Sequence, residues 1–179
     1  MLGGLRERVR RSGRRGPVAL VLAALLVSLV TSLFARSPPP VPQPIAFNHL
    51  RHTGELQLPC DFCHKYVRTG AHSGLPGRDT CSLCHLTVQG ETQEAARLTE
   101  LLQSGEPLAF NKLFRLPDHV FYTHRRHVAI GELDCTLCHG GIAETEEPPE
   151  RALVEIKMAY CVECHGERGV TTDCTACHR

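Results

Sequence analysis

Cys135-Thr136-Leu137-Cys138-His139 decides how this chain must be read. The same pattern, C-x-x-C-H, recurs at Cys60-Asp61-Phe62-Cys63-His64, Cys81-Ser82-Leu83-Cys84-His85, Cys161-Val162-Glu163-Cys164-His165 and Cys174-Thr175-Ala176-Cys177-His178. The chain has 10 cysteines, and all fall in these five motifs. C-x-x-C-H is the attachment signature of a c-type haem. Two thiols three positions apart can each bond one vinyl group of the same porphyrin, and the next imidazole then faces the iron as proximal ligand. The motifs predict five covalently attached c-type haems, with His64, His85, His139, His165 and His178 as proximal ligands. Zinc sites and disulfide frameworks also use paired cysteines. Neither demands a histidine directly after every C-x-x-C.

Outward from the motifs, residues 45–179 read as a haem domain with about 27 residues per haem, counting five motifs. The chain has no Trp, 6 Phe and 3 Tyr. The porphyrins must then supply most of the buried apolar surface. The expected fold is mainly α with much irregular coil, a multihaem cytochrome c domain organised around covalent haems. One regular helix is legible. Thr92 can cap its start, Ala95, Leu98, Leu101 and Leu102 share a face, and Gly105 can end it. This helix divides the domain into a first haem unit (45–90), a helical spacer (91–118) and a second haem unit (119–179).

Ahead of the domain, residues 1–16 carry six arginines (Arg6, Arg8, Arg10, Arg11, Arg14, Arg15) against Glu7. Residues 17–35 carry no charge. As a helix this stretch spans about 28 Å, close to a bilayer core of about 30 Å. It reads as an N-terminal transmembrane helix, an uncleaved anchor in the cell inner membrane. The arginines stay inside and the haem domain lies on the outer, periplasmic side. A cleaved signal peptide is the rival reading, and Leu33 fits poorly where a small residue is wanted before a cut after Ala35. Residues 36–44 contain Pro38, Pro39, Pro40, Pro42 and Pro44 and read as a semi-rigid polyproline linker.

The formal charge of +1 hides two opposed segments. After residue 35 the chain has 14 basic and 18 acidic residues, a formal −4, and haem propionates would add about two negative charges per haem. Glu144-Thr145-Glu146-Glu147-Pro148-Pro149-Glu150 reads as a solvated acidic loop.

The domain also contains a duplication. Phe47-Asn48-His49-Leu50-Arg51-His52 matches Tyr122-Thr123-His124-Arg125-Arg126-His127, and each H-x-x-H is followed by seven residues and then C-x-x-C-H. His49 and His124 are 75 positions apart, as are Cys60 and Cys135. Histidines three apart sit on neighbouring positions of one helical turn and can point to two different irons. Six histidines lie outside the attachment motifs: His49, His52, His72, His119, His124 and His127. Five six-coordinate irons need five distal ligands. His49, His52, His124 and His127 are expected to supply four, and Met158, just ahead of Cys161, the fifth. His72 and His119 are alternatives for it, and an open iron is another. Candidate ligands outnumber irons, so low-spin haem throughout is expected.

The repeat resembles the cytochrome c3 and c7 group, in which Phe-x-His-x-x-His precedes an attachment motif. The resemblance implies that His49 and His124 cap their local haems, while His52 and His127 each reach a neighbour. Further stretches resemble the pentahaem cytochrome c subunit of alternative complex III. They are Gln43-Pro44-Ile45-Ala46-Phe47-Asn48-His49, Ser73-Gly74-Leu75-Pro76, Leu116-Pro117-Asp118-His119-Val120-Phe121-Tyr122-Thr123-His124 and Lys157-Met158-Ala159-Tyr160-Cys161. Family members often carry His where this chain has Phe114-Arg115, and Trp where it has Phe110. The resemblance implies a non-catalytic electron-transfer subunit of a quinol oxidoreductase complex. Its partners would be an iron–sulfur subunit related to molybdopterin oxidoreductases and quinol-binding integral membrane subunits. A monohaem cytochrome c or a terminal oxidase would accept the electrons. The alternative function is a NapC/NrfH-like quinol dehydrogenase feeding a periplasmic reductase.

Overall fold

The computed structural model describes residues 3–34, 39–87 and 90–178, with only the backbone described for 3–16, 33 and 34. The chain divides into two compact units, 1–40 and 41–179.

The first unit is one helix, α1 (Gly3–Phe34). It begins 14 residues ahead of the expected anchor, so the arginine-rich stretch is helical as well, and Pro17 lies inside it. Among the described residues no helix is long and apolar enough to cross a membrane. The transmembrane helix expected over 17–35 is therefore not shown. Ala35, the last residue of that stretch, lies outside the described residues, as do 36–38 of the linker.

In the second unit, part of the expected linker is not a free spacer. The Val41 amide donates to the Glu150 carbonyl at 2.9 Å. The Gln43 side chain donates to the Asn111 carbonyl at 2.9 Å and accepts from the Asn111 amide at 3.0 Å. Reciprocal bonds of this kind hold 41–43 on the haem domain, because Val41 and Gln43 offer the donors that proline lacks.

The remaining elements are short. Four single-turn or two-turn helices carry attachment motifs: α2 (Cys60–Cys63), α3 (Arg78–His85), α5 (Thr136–His139) and α7 (Cys174–Cys177). α6 (Met158–Glu167) carries the remaining motif. Of the α-helices described in this unit, α4 (Gln93–Ser104) alone lacks one. The Thr92 hydroxyl accepts from the Ala95 amide at 3.1 Å, and Gly105 ends the helix in the left-handed region at φ 82°. Both caps stand where the sequence places them. Thr92→Ala should cost about 1 kcal/mol in chemical denaturation, because it strands a first-turn donor.

The buried apolar core is small. Ile45, Leu98, Leu102 and Leu108 are its buried members, with Phe47, Cys81, Leu101 and Phe110 packed around them. It sits where α4 lies against α3. The Arg78 guanidinium donates to the Leu102 carbonyl, and the Glu94 carboxylate accepts from the Ala46 amide at 2.9 Å. Among the described residues, Thr80 is the other buried side chain.

The duplication is visible in the backbone. Each H-x-x-H opens a six-residue π-helix, Leu50–Glu55 and Arg125–Ile130, with His49 and His124 at the N-caps. The Leu56 amide donates to the Arg51 carbonyl at 3.1 Å and the Gly131 amide to Arg126 at 2.9 Å. One residue later, Gln57 (φ 55°) and Glu132 (φ 51°) both take left-handed conformations that non-glycine residues seldom adopt. Every one of these equivalences spans the same 75 positions. π-turns are rare and cluster at functional sites, and here they coincide with the paired histidines.

Candidate functional site

In three motifs the histidine amide closes a helical turn on the first cysteine. The His64 amide reaches the Cys60 carbonyl, His139 reaches Cys135 and His178 reaches Cys174, each at 2.9 Å. Residues three apart on such a turn share a face, so both thiols of a motif present to one side. All 10 cysteines are free, which sets aside a disulfide framework. Among the described residues no group of three or more His, Cys, Asp or Glu could hold a metal ion. A bare zinc site, with four protein ligands, is not formed. Two imidazoles facing each other, with the other ligands brought by a porphyrin, need no such group.

Six imidazoles are oriented through Nδ1. His64 Nδ1 lies 2.7 Å from the Gly74 carbonyl, His52 2.7 Å from Asn48, His124 2.9 Å from Ala71, His127 2.9 Å from Thr123 and His165 2.9 Å from Thr171. A carbonyl can only accept, so Nδ1 carries the proton in each. His49 Nδ1 lies 3.2 Å from the Thr145 hydroxyl, which already donates to the Ile142 carbonyl at 2.9 Å. His49 must therefore be the donor too. In all six rings the lone pair is left on Nε2. This is the tautomer of a histidine that binds a metal through Nε2 with its other nitrogen held by an acceptor. His85 differs, because its Nδ1 is buried with no hydrogen-bond partner.

The rings also stand in facing pairs. His124 and His139 have centroids 6.4 Å apart and planes 6° apart. His127 faces His165 at 6.1 Å, His52 faces His85 at 6.1 Å, and His119 faces His178 at 5.4 Å. His49 is close enough to His64 to feel its charge. A metal–imidazole nitrogen distance is about 2 Å, and the centroid lies about 1 Å further, so two imidazoles on one metal put their centroids about 6 Å apart. The spacing fits an iron between three of the measured pairs, while His119 and His178 stand closer, and each pair joins one histidine of an attachment motif to one outside the motifs.

Electrostatics favour the neutral form of His49, His85, His124 and His139. Burial drives the His49 pKa down to about 4, and the nearby His64 and His52 add to the effect. Burial lowers His139, with His124 and His64 contributing, and lowers His85, with His52 contributing. His124 is also lowered, mainly by burial, against a bond to Ala71 that favours its proton. A neutral imidazole is the form that can donate its lone pair.

Each pair of repeat histidines shares an aromatic clamp. The Phe47 ring meets His49 edge-on at 4.8 Å and stacks on His52 at 4.5 Å. Tyr122 does the same to His124 at 5.0 Å and His127 at 4.6 Å. Burial pushes the Tyr122 hydroxyl up to about 12, with the Cys138, Cys161 and Cys135 thiols contributing, so the ring stays uncharged.

Of the remaining expected ligands, Met158 is the first residue of α6 and is 69% exposed. His72 is exposed and lies beside His124. His119, one of two alternatives in the sequence, is the histidine that faces the last motif. The residues that orient the rings carry no recognisable sequence signal, because Gly74, Ala71, Asn48, Thr123 and Thr171 act through backbone carbonyls. Thr145 lies in the acidic loop read as a solvated surface. Its carbonyl also accepts from the Leu50 amide at 3.0 Å, so that end of the loop is a seat for the first H-x-x-H. Gly74 holds φ +76°, and an added Cβ would lie 2.9 Å from the Tyr66 ring. Gly74→Ala should destabilise the domain by about 1–2 kcal/mol, read as a lowered denaturant midpoint, because an L side chain resists that conformation.

Residues 120–179 match the family model of cytochrome c7 and related cytochrome c. A menaquinone reductase, multiheme cytochrome c subunit, from Nitratidesulfovibrio vulgaris (strain Hildenborough) is 32% identical over 157 residues, covering 75% of this chain and 74% of the relative.

Proposed function

Because the chain belongs to the family of that multihaem cytochrome c subunit, we propose that it relays electrons from a quinol-oxidising membrane complex through five haems that are all held by two histidines. The observation that carries this reading is the set of facing rings 5.4–6.4 Å apart. The pairs that would hold the five haems are His49 with His64, His52 with His85, His124 with His139, His127 with His165, and His119 with His178. His119 takes the place that the sequence reading assigned to Met158. When bound, each haem supplies one iron centre that is reduced and oxidised by a single electron.

The chain's own residues do the positioning. The Nδ1 acceptors hold the orientation of His49, His52, His64, His124, His127 and His165 and raise the basicity of their Nε2. Phe47 and Tyr122 fix the planes of paired ligands. Two histidines for every iron would leave no open position for a substrate, which favours a relay over a catalyst. It also favours the relay over the NapC/NrfH-like alternative. The proposed partners are an iron–sulfur subunit related to molybdopterin oxidoreductases and quinol-binding membrane subunits, with a monohaem cytochrome c or an oxidase as acceptor. Assembly of the alternative complex III type is part of this proposal. So is location: the uncharged run at 17–35, behind six arginines, would hold the chain in the inner membrane with its haems outside.

Electron paramagnetic resonance of the oxidised holoprotein should show low-spin haem alone, and a substantial high-spin signal would sink the relay reading. A menaquinol analogue should reduce the haems in the detergent-extracted assembly and leave those of the isolated chain oxidised. The chain should stay with membranes through alkaline carbonate washing.

A further inference from the structure

We infer that the attachment motifs stand in single file in the order second, first, third, fourth, fifth, so that the first motif, and not the second, joins the two halves of the domain. This rests on the ligand pairs proposed above, and it differs from the order along the chain.

The second motif neighbours the first. His52, which faces His85, is three residues from His49, and Phe47 touches both rings. Cys81 is close enough to Cys63 for that thiol to add to the effect of burial on its own. The first motif neighbours the third. The loop after His64 seats the second H-x-x-H: the His124 amide donates to the Ala71 carbonyl at 3.1 Å, the Arg125 amide to Gly70 at 3.0 Å and the Thr123 hydroxyl to Gly70 at 3.2 Å. Cys135 is close enough to Cys60 for that thiol to add to the effect of burial on its own, and His139 feels both His124 and His64.

The third motif neighbours the fourth. His124 and His127 are held by the same Tyr122 ring, and Cys138 lies beside Cys164 and Cys161. The fourth neighbours the fifth through Cys161 and Cys177. The fifth is tied in by the Phe121 amide, which donates to the Cys177 carbonyl at 2.7 Å, and by the bridge between Val120 and His178. The file therefore ends at residues 81–85 on one side and 174–178 on the other.

The order makes a difference that can be measured. A reduced haem carries one electron more than an oxidised one, and this makes its neighbours harder to reduce. Methionine in place of a distal histidine raises the potential of its haem, so that haem is reduced first in a titration. His52→Met alters an end of the file and should lower the potential of one other haem, that on Cys60 and Cys63. His49→Met alters an interior haem and should lower two, those of the second and third motifs. Redox titration followed through haem-methyl NMR resonances reads both. If His52→Met lowers the haem of the third motif instead, the order is wrong. The methionine–iron absorption band must appear in each variant. Its absence would refute the ligand pairs, while its presence with the wrong neighbours would refute the order alone. Should either variant fail to fold, iron–iron distances in a map of the wild-type holoprotein decide. The irons nearest that of the third motif should be those of the first and fourth, and finding the second there would overturn the order.

Discussion

His119→Ala is expected to turn one haem of the five from six-coordinate to five-coordinate. The ring removed faces His178 at 5.4 Å with planes 29° apart, and alanine offers no lone pair to replace it. The oxidised variant should show a high-spin resonance from about one iron in five, if each motif carries one haem. The other four haems keep both imidazoles and should stay low-spin. Met158→Ala is the matching control, because that side chain is exposed on the first residue of α6. It should leave every haem low-spin. If the outcomes exchange, with Met158→Ala producing the high-spin iron, the fifth ligand is the methionine of the sequence reading. His119→Met separates coordination from folding, since it restores a ligand with a raised potential.

Loss of haem attachment at the first motif should unfold the whole second unit. In the Cys60→Ala/Cys63→Ala double variant, far-ultraviolet circular dichroism should fall well beyond what the single turn of α2 accounts for. Protease should cut throughout residues 41–179. Among the described residues the domain buries only Ile45, Leu98, Leu102 and Leu108 as apolar side chains, while ordering backbone costs about 1–2 kcal/mol per residue. Packing on the porphyrins must offset that cost. The first motif also carries the loop that seats His124, Arg125 and Thr123, so its loss removes support from both halves. The same double substitution at Cys174 and Cys177 should be milder, because that motif is at an end of the file. Equal collapse from both variants would count against the junction at the first motif.

Much of this molecule follows from its residues in one dimension. Five C-x-x-C-H motifs determine where covalent attachment is possible, since two thiols and an imidazole at that spacing form one helical turn. The 75-residue period determines that two segments share one conformation, down to the left-handed residues Gln57 and Glu132. Thr92 and Gly105 determine the ends of α4, because capping is local chemistry. What the tertiary structure alone decided is how distant residues meet. No spacing reveals that His119 faces His178, or that His52 faces His85. The acceptors that hold Nδ1 are mostly main-chain carbonyls, and every residue has one. The partners of Gln43 and Thr145 lie 68 and 96 residues away, so a proline-rich linker became in part a docked segment and an acidic loop became a seat. Haem order belongs to the same class, because a motif fixes its own turn but only long-range packing chooses its neighbour.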